Sequence, residues 1–134
     1  MNDGGGRHPA TATTLVLGGC ASEREAAIGA ALTPGVAAAA ILEGLSDGKS
    51  VLADALPQAA LRVARIAPGC LCCAGNLILR VTLNRLLRHP PAQLFISLAN
   101  ATHVEQLRLW LSAAPYDALL ALGPDLKIVS TAQV

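Results

Sequence analysis

The stretch Thr13-Thr14-Leu15-Val16-Leu17-Gly18-Gly19, running on into Cys20-Ala21-Ser22-Glu23-Arg24-Glu25, decides how this chain folds. A short apolar run stopped by glycines reads as a buried strand. The residues after it, Ser22 to Leu32, predict a helix ended by Thr33-Pro34-Gly35. Ser22 and Glu25 have the S-x-x-E spacing of a capping box at its start. Strand, glycine turn and helix in that order open a βαβ unit, which builds a parallel sheet.

The alternation continues along the chain. Ala37 to Leu42 is a second apolar strand, Asp47-Gly48 a turn signal, and Ser50 to Ala60 a helix disturbed by Pro57. Leu61 to Ala67 predicts a short strand leading into Pro68-Gly69. A helix from Ala74 to Arg88 follows, ended by His89-Pro90-Pro91, and Gln93 to Ala99 is a third clear buried strand. Thr102 and Glu105 make a capping box for a helix reaching Ala113, with Pro115 as its stop. Asp117 to Leu122 and Leu126 to Ser130 are the last strand candidates. The expectation is one three-layer α/β domain over residues 13–134, with a mainly parallel sheet. Residues 1–12 are expected to form a flexible polar tail.

Composition narrows the function. The chain has 134 residues, of which 53% are apolar and 14% charged. That is enough to bury a core and places disorder only at the ends. Phe95, Trp110 and Tyr116 are the only aromatics, so the core must be aliphatic. A net charge of +1, with no basic stripe and no stacking platform, argues against nucleic acid as partner. The longest apolar run, Val36 to Leu42, is too short to span a bilayer, and the polar N-terminus has no signal core. A cytoplasmic setting is expected. Thiols stay reduced there, and clustered cysteines read as metal-binding or redox-active.

Such a cluster exists. Ala67-Pro68-Gly69-Cys70-Leu71-Cys72-Cys73-Ala74-Gly75 holds three of the four cysteines. Thiolates are soft ligands suited to zinc and copper(I). Tetrahedral zinc takes a fourth ligand, or a water in an open site. Cys20 follows the first strand and Glu43 the second, so both fall at the carboxyl edge of a parallel sheet, where ligands bind. The cysteine loop follows the third strand and reaches the same edge. Cys70, Cys72, Cys73, Glu43 and Cys20 are therefore the candidate metal ligands, with His103 a further neighbour. A redox pair is the alternative, because a thiolate at a helix start has a lowered pKa. Simple packing of the thiols as small apolar groups is the third reading.

A phosphate cradle needs glycines that turn backbone N–H groups inward, and a lysine. The Gly18-Gly19 pair supplies part of that pattern, and Glu23 and Glu25 set carboxylates where an anion would bind. Gly48-Lys49-Ser50 mimics a Walker A ending, but Gly44 stands one residue too close, so it reads as a solvated turn.

Taken together, Thr14 to Gly18, Ala40-Ile41-Leu42-Glu43-Gly44, Ile66 to Cys73 and Gln93 to Ser97 resemble the N-terminal GTPase domain of the CobW-type metallochaperones, relatives of HypB and UreG. Those proteins have a Walker A strand and loop, a strand ending in an acidic residue, a Gly-Cys-x-Cys-Cys segment, and a strand ending Glu-Thr-Thr-Gly. The resemblance implies a P-loop-NTPase-like fold and GTP with magnesium. It also implies a transition metal such as Zn(II), and a metalloprotein client or a homo-oligomer as partner. Nucleotide hydrolysis would gate metal transfer. The chain departs from the pattern at decisive places. Arg24 falls where the phosphate-binding lysine sits, Glu25 where the magnesium-binding hydroxyl sits, and Ser97 replaces the acidic residue. No Asn-Lys-x-Asp guanine-reading segment appears. The expectation is a degenerate metallochaperone-like protein whose nucleotide site is reduced to Gly18, Gly19 and Arg24. An active GTPase with an atypical loop and a non-metallic redox or interaction module are the alternatives.

Overall fold

A computed structural model of the chain describes residues 10–44, 61–66, 77–100, 102 and 104–129. The cysteine segment at Cys70, Cys72 and Cys73, the Gly48-Lys49-Ser50 turn, the helix expected over 50–60, and His103 lie outside the described residues. The elements are β1 (Thr11–Gly18), α1 (Ala21–Ala31), β2 (Ala38–Glu43), β3 (Leu61–Ile66), α2 (Leu77–Leu86), β4 (Gln93–Ser97), α3 (Val104–Leu111), α4 (Tyr116–Leu119), β5 (Leu120–Leu122) and β6 (Leu126–Ile128). One sheet holds all six strands in the order β3-β2-β4-β1-β5, with β6 also beside β1, and every pairing is parallel. The class is the α/β arrangement expected from the alternation of apolar strands and helices.

Strand order fixes the layers. The step from β1 to β2 crosses β4 in one direction, whereas β3 to β4 and β4 to β5 run in the other. Right-handed crossovers then place α1 on one face of the sheet and α2 and α3 on the opposite face. The buried side chains follow, alternating along each strand. Leu15, Leu17, Ile41, Leu94 and Ile96 pack with Leu79 and Leu83 of α2 and with Leu107 and Leu111 of α3. Val16, Ala40, Leu42 and Phe95 pack with Ile28 of α1. All six residues of β2 are buried, as a strand covered on both sides requires. Among the described residues no helix is long and apolar enough to cross a membrane.

Several boundaries differ from the sequence expectation. β1 begins at Thr11 because the Ala12 N–H donates to Ala92 O (3.0 Å) and the Thr11 hydroxyl to Pro91 O (2.7 Å). The Thr102–Glu105 box does not form: Thr102 gives its N–H to Asn100 Oδ1 (2.8 Å), and Glu105 pairs with Arg108. Asp117 to Leu119, expected to be extended, are helical, since the N–H groups of Tyr116 and Asp117 donate to Ala113 O and close a turn. The last two strands form one interrupted edge. Thr11–Thr13 pair with Leu120–Leu122, and Val16–Gly18 with Leu126–Ile128. Two residues of β1 thus face the three of Gly123-Pro124-Asp125, a one-residue bulge. Arg108 of α3 binds the Asp125 carboxylate there.

The edge strand β3 serves both helical layers. Arg62 Nη2 donates to Leu86 O (3.3 Å) and His89 O (2.6 Å), capping the C-terminal end of α2. Arg65, three residues on, points to the other face and grips Glu25 of α1 through two bonds of 3.1 and 3.4 Å.

Leu83 is fully buried in the α2 face of the core, while Leu109 of α3 is 72% exposed. Leu83→Ala is expected to cost about 2–5 kcal/mol in urea unfolding. Leu109→Ala is expected to stay within about 0.5 kcal/mol of the parent.

Candidate functional site

In a parallel α/β sheet, ligands bind beyond the carboxyl ends of neighbouring strands whose connections leave in opposite directions. Here those strands are β1 and β4. Gly18, Gly19 and Cys20 leave the end of β1, Ser97 ends β4, and Glu43 ends β2 next to it.

Arg24 fills this crevice. Its side chain leaves the first turn of α1 and is only 4% exposed. Nε donates to Ser97 Oγ at 2.8 Å, and Nη1 donates to Gly18 O at 3.1 Å and Gly19 O at 2.9 Å. Both glycines are left-handed, with φ of +86° and +60°. A Cβ at Gly18 would lie 2.5 Å from Ile128 O, and one at Gly19 would lie 2.7 Å from Glu23 Oε1. The glycines are therefore needed for backbone shape and close approach. Their two carbonyls accept from a cation, the inverse of a loop that turns N–H groups toward a phosphate. Burial lowers the Arg24 pKa from its ordinary value, and the nearby charges of Cys20, Glu43, Glu25 and Glu23 oppose that shift. The guanidinium stays protonated in any case.

The carboxylates around it are also committed. Glu23 Oε1 accepts the Cys20 N–H at 2.8 Å, so the helix is capped from Cys20 and Glu23, two residues earlier than the expected Ser22 and Glu25. Glu25 is free of that duty and instead turns inward to Arg65, at 5% exposure. Glu43, also buried, accepts the Ala99 N–H on Oε1 at 2.8 Å, tying the end of β2 to the exit of β4. Cys20 is exposed, with Sγ 3.2 Å from Ser22 Oγ.

The structure thus brings Gly18, Gly19 and Arg24 into one cluster, with Glu43 at the adjacent strand end. Cys20 stays outside it, at the helix cap. Among the described residues no three His, Cys, Asp or Glu side chains converge on a metal position. Two partners escaped sequence reasoning: Ser97 as the acceptor for Arg24, and Arg65 as the clasp on Glu25. A lone serine at the end of the apolar run Leu94-Phe95-Ile96 was the available signal for the first. A scan of protein-family models, a search of curated proteins and a search of solved structures each returned no match to this chain.

Replacing Arg24 by alanine leaves two carbonyls and a buried hydroxyl without their donor. The expected cost is about 1–3 kcal/mol of unfolding free energy. Arg24→Lys keeps the charge but not the planar fork, so it should recover only part of that loss. Urea denaturation of the two variants measures both effects.

Proposed function

We propose that this chain is a degenerate relative of the CobW-type metallochaperone GTPases. In this reading it binds a transition metal, Zn(II) first, through Cys70, Cys72 and Cys73 and has lost the nucleotide gate. The observation that carries the reading is the pairing of Glu43 with Ile66, reinforced by the Gly44 N–H bond to Ile66 O at 2.8 Å. Ile66 is the last described residue before the cysteine segment. Cys70 follows it by four residues, a reach of at most about 14 Å of extended chain. That length of chain allows Cys70 to reach the strand end where Glu43 is buried, which supports the reading. Cys20 lies across β4 from Glu43, so it is the weakest of the five candidate ligands.

Loss of the gate is supported by Arg24. A phosphate entering between β1 and β4 would meet inward carbonyls and a guanidinium already held by three acceptors. Glu23 and Glu25 stand in the same helical turn as further negative charge. A thiolate site needs a reducing compartment, which fits the cytoplasmic setting expected from the sequence. The cargo would pass to a metalloprotein client or between copies of this chain, as the resemblance implies.

Cobalt(II) added anaerobically to reduced protein tests the metal reading. About one equivalent should bind with thiolate-to-metal charge-transfer absorption, and Cys72→Ser with Cys73→Ser should abolish it. An unchanged spectrum in that double variant would remove the metal assignment and favour an interaction module. Calorimetric titration with magnesium and GTP, alongside ATP, should give no measurable heat of binding. A micromolar, magnesium-dependent and guanine-selective signal would instead promote the GTPase reading.

A further inference from the structure

A second concave site lies in the α2–α3 layer, toward the edge of the sheet where β1 and β5 begin. It is a cavity of about 300 Å³ lined by Arg80 and Asn84 of α2, Trp110 of α3, and Pro115 and Tyr116 of the following turn. The chain has one phenylalanine, one tryptophan and one tyrosine, and two of these three rings wall this cavity. The Trp110 and Tyr116 rings have centroids 4.9 Å apart at an interplanar angle of 42°.

The polar groups around those rings are of one kind. Tyr116 Oη donates to Asn84 Oδ1 at 2.9 Å, which uses the amide's acceptor and leaves its NH2 donors. Burial pushes the Tyr116 phenol above its ordinary pKa, against the opposing charge of Arg80, so the hydroxyl remains a donor at neutral pH. Arg80 stands one helical turn before Asn84 on the same side of α2. Among the described residues no carboxylate pairs with Arg80, and none lines the cavity. The indole N–H of Trp110 is also a donor. Among the described residues the site therefore offers aromatic walls, a cation and N–H groups, with no carboxylate in its lining.

We infer that this cavity binds a small planar aromatic carboxylate, its ring against Trp110, Tyr116 and Pro115 and its carboxylate on Arg80 and Asn84. A guanidinium fork matches a carboxylate in two parallel hydrogen bonds. Aromatic rings prefer offset or tilted contacts with other rings, which a flat ligand satisfies. The volume lies at the low end for ligand pockets, so the ligand is of single-ring size. Among the described residues this site shares none with the crevice at Arg24, and the inference does not rest on metal binding.

Trp110 is the only tryptophan and lines this cavity, so its emission provides the signal. The probe is benzoate, with benzamide as its neutral isostere and inorganic phosphate as an anion without a ring. Benzoate should change Trp110 emission saturably, and Arg80→Gln should weaken that binding about tenfold or more, equivalent to about 1.4 kcal/mol. Asn84→Asp keeps an acceptor for Tyr116 but sets a carboxylate against the ligand, and should weaken benzoate as well. Benzamide should bind more weakly than benzoate and be indifferent to Arg80→Gln. Arg80 and Asn84 are both exposed, and far-UV circular dichroism checks that the variants remain folded. Absence of a saturable benzoate response overturns the inference. So does a response unaltered in both variants, or one that phosphate competes away at equal concentration.

Discussion

One buried cation organises the carboxyl edge of this protein. The Arg24 guanidinium joins the end of β1, through two main-chain carbonyls, to the end of β4, through a serine hydroxyl. Taking a charge out of water is costly unless it is surrounded by acceptors. The left-handed glycines, the hydroxyl at Ser97 and the ring of acidic neighbours answer that requirement. The same arrangement consumes the space and the backbone groups that a phosphate would use. What holds the edge together also decides what the crevice can receive.

Much of the architecture was legible from apolar runs and glycine or proline stops. Leu15 to Leu17, Ile41 with Leu42, and Leu94 to Ile96 are runs that only a sheet buried on both faces would need, and all are buried there. The errors arose where local chemistry had two solutions. Ser22-x-x-Glu25 and Cys20-x-x-Glu23 are overlapping frames, and the second prevails because Arg65 claims Glu25. Thr102 loses its role as a cap because Asn100 offers a nearer acceptor. Leu120 is strand, but the preceding residues are helical, since the turn after Pro115 is closed by backbone bonds that side-chain pattern does not encode.

The candidate site was legible one residue at a time. Arg24 and Ser97 were each visible as departures from the pattern the chain resembles. That they touch each other could not be read, because 73 residues separate them and only the register of β1 on β4 brings them together. The two departures are one substitution in physical terms, a donor and the acceptor that satisfies it. The aromatic pair of Trp110 and Tyr116 was likewise visible only as scarcity. Its placement depends on α3 returning beside α2 across the sheet face.

The edge strand β3 carries two arginines three residues apart, Arg62 bound to the end of α2 and Arg65 to Glu25 of α1. In mechanical terms it is a clip whose two arms hold opposite layers. In the sequence the cysteine segment follows β3, which ends at Ile66. A pull on the chain beyond the end of β3 would load both arms together. Force applied at one corner of the molecule would thus be shared by the whole thickness of the fold instead of peeling away a single strand.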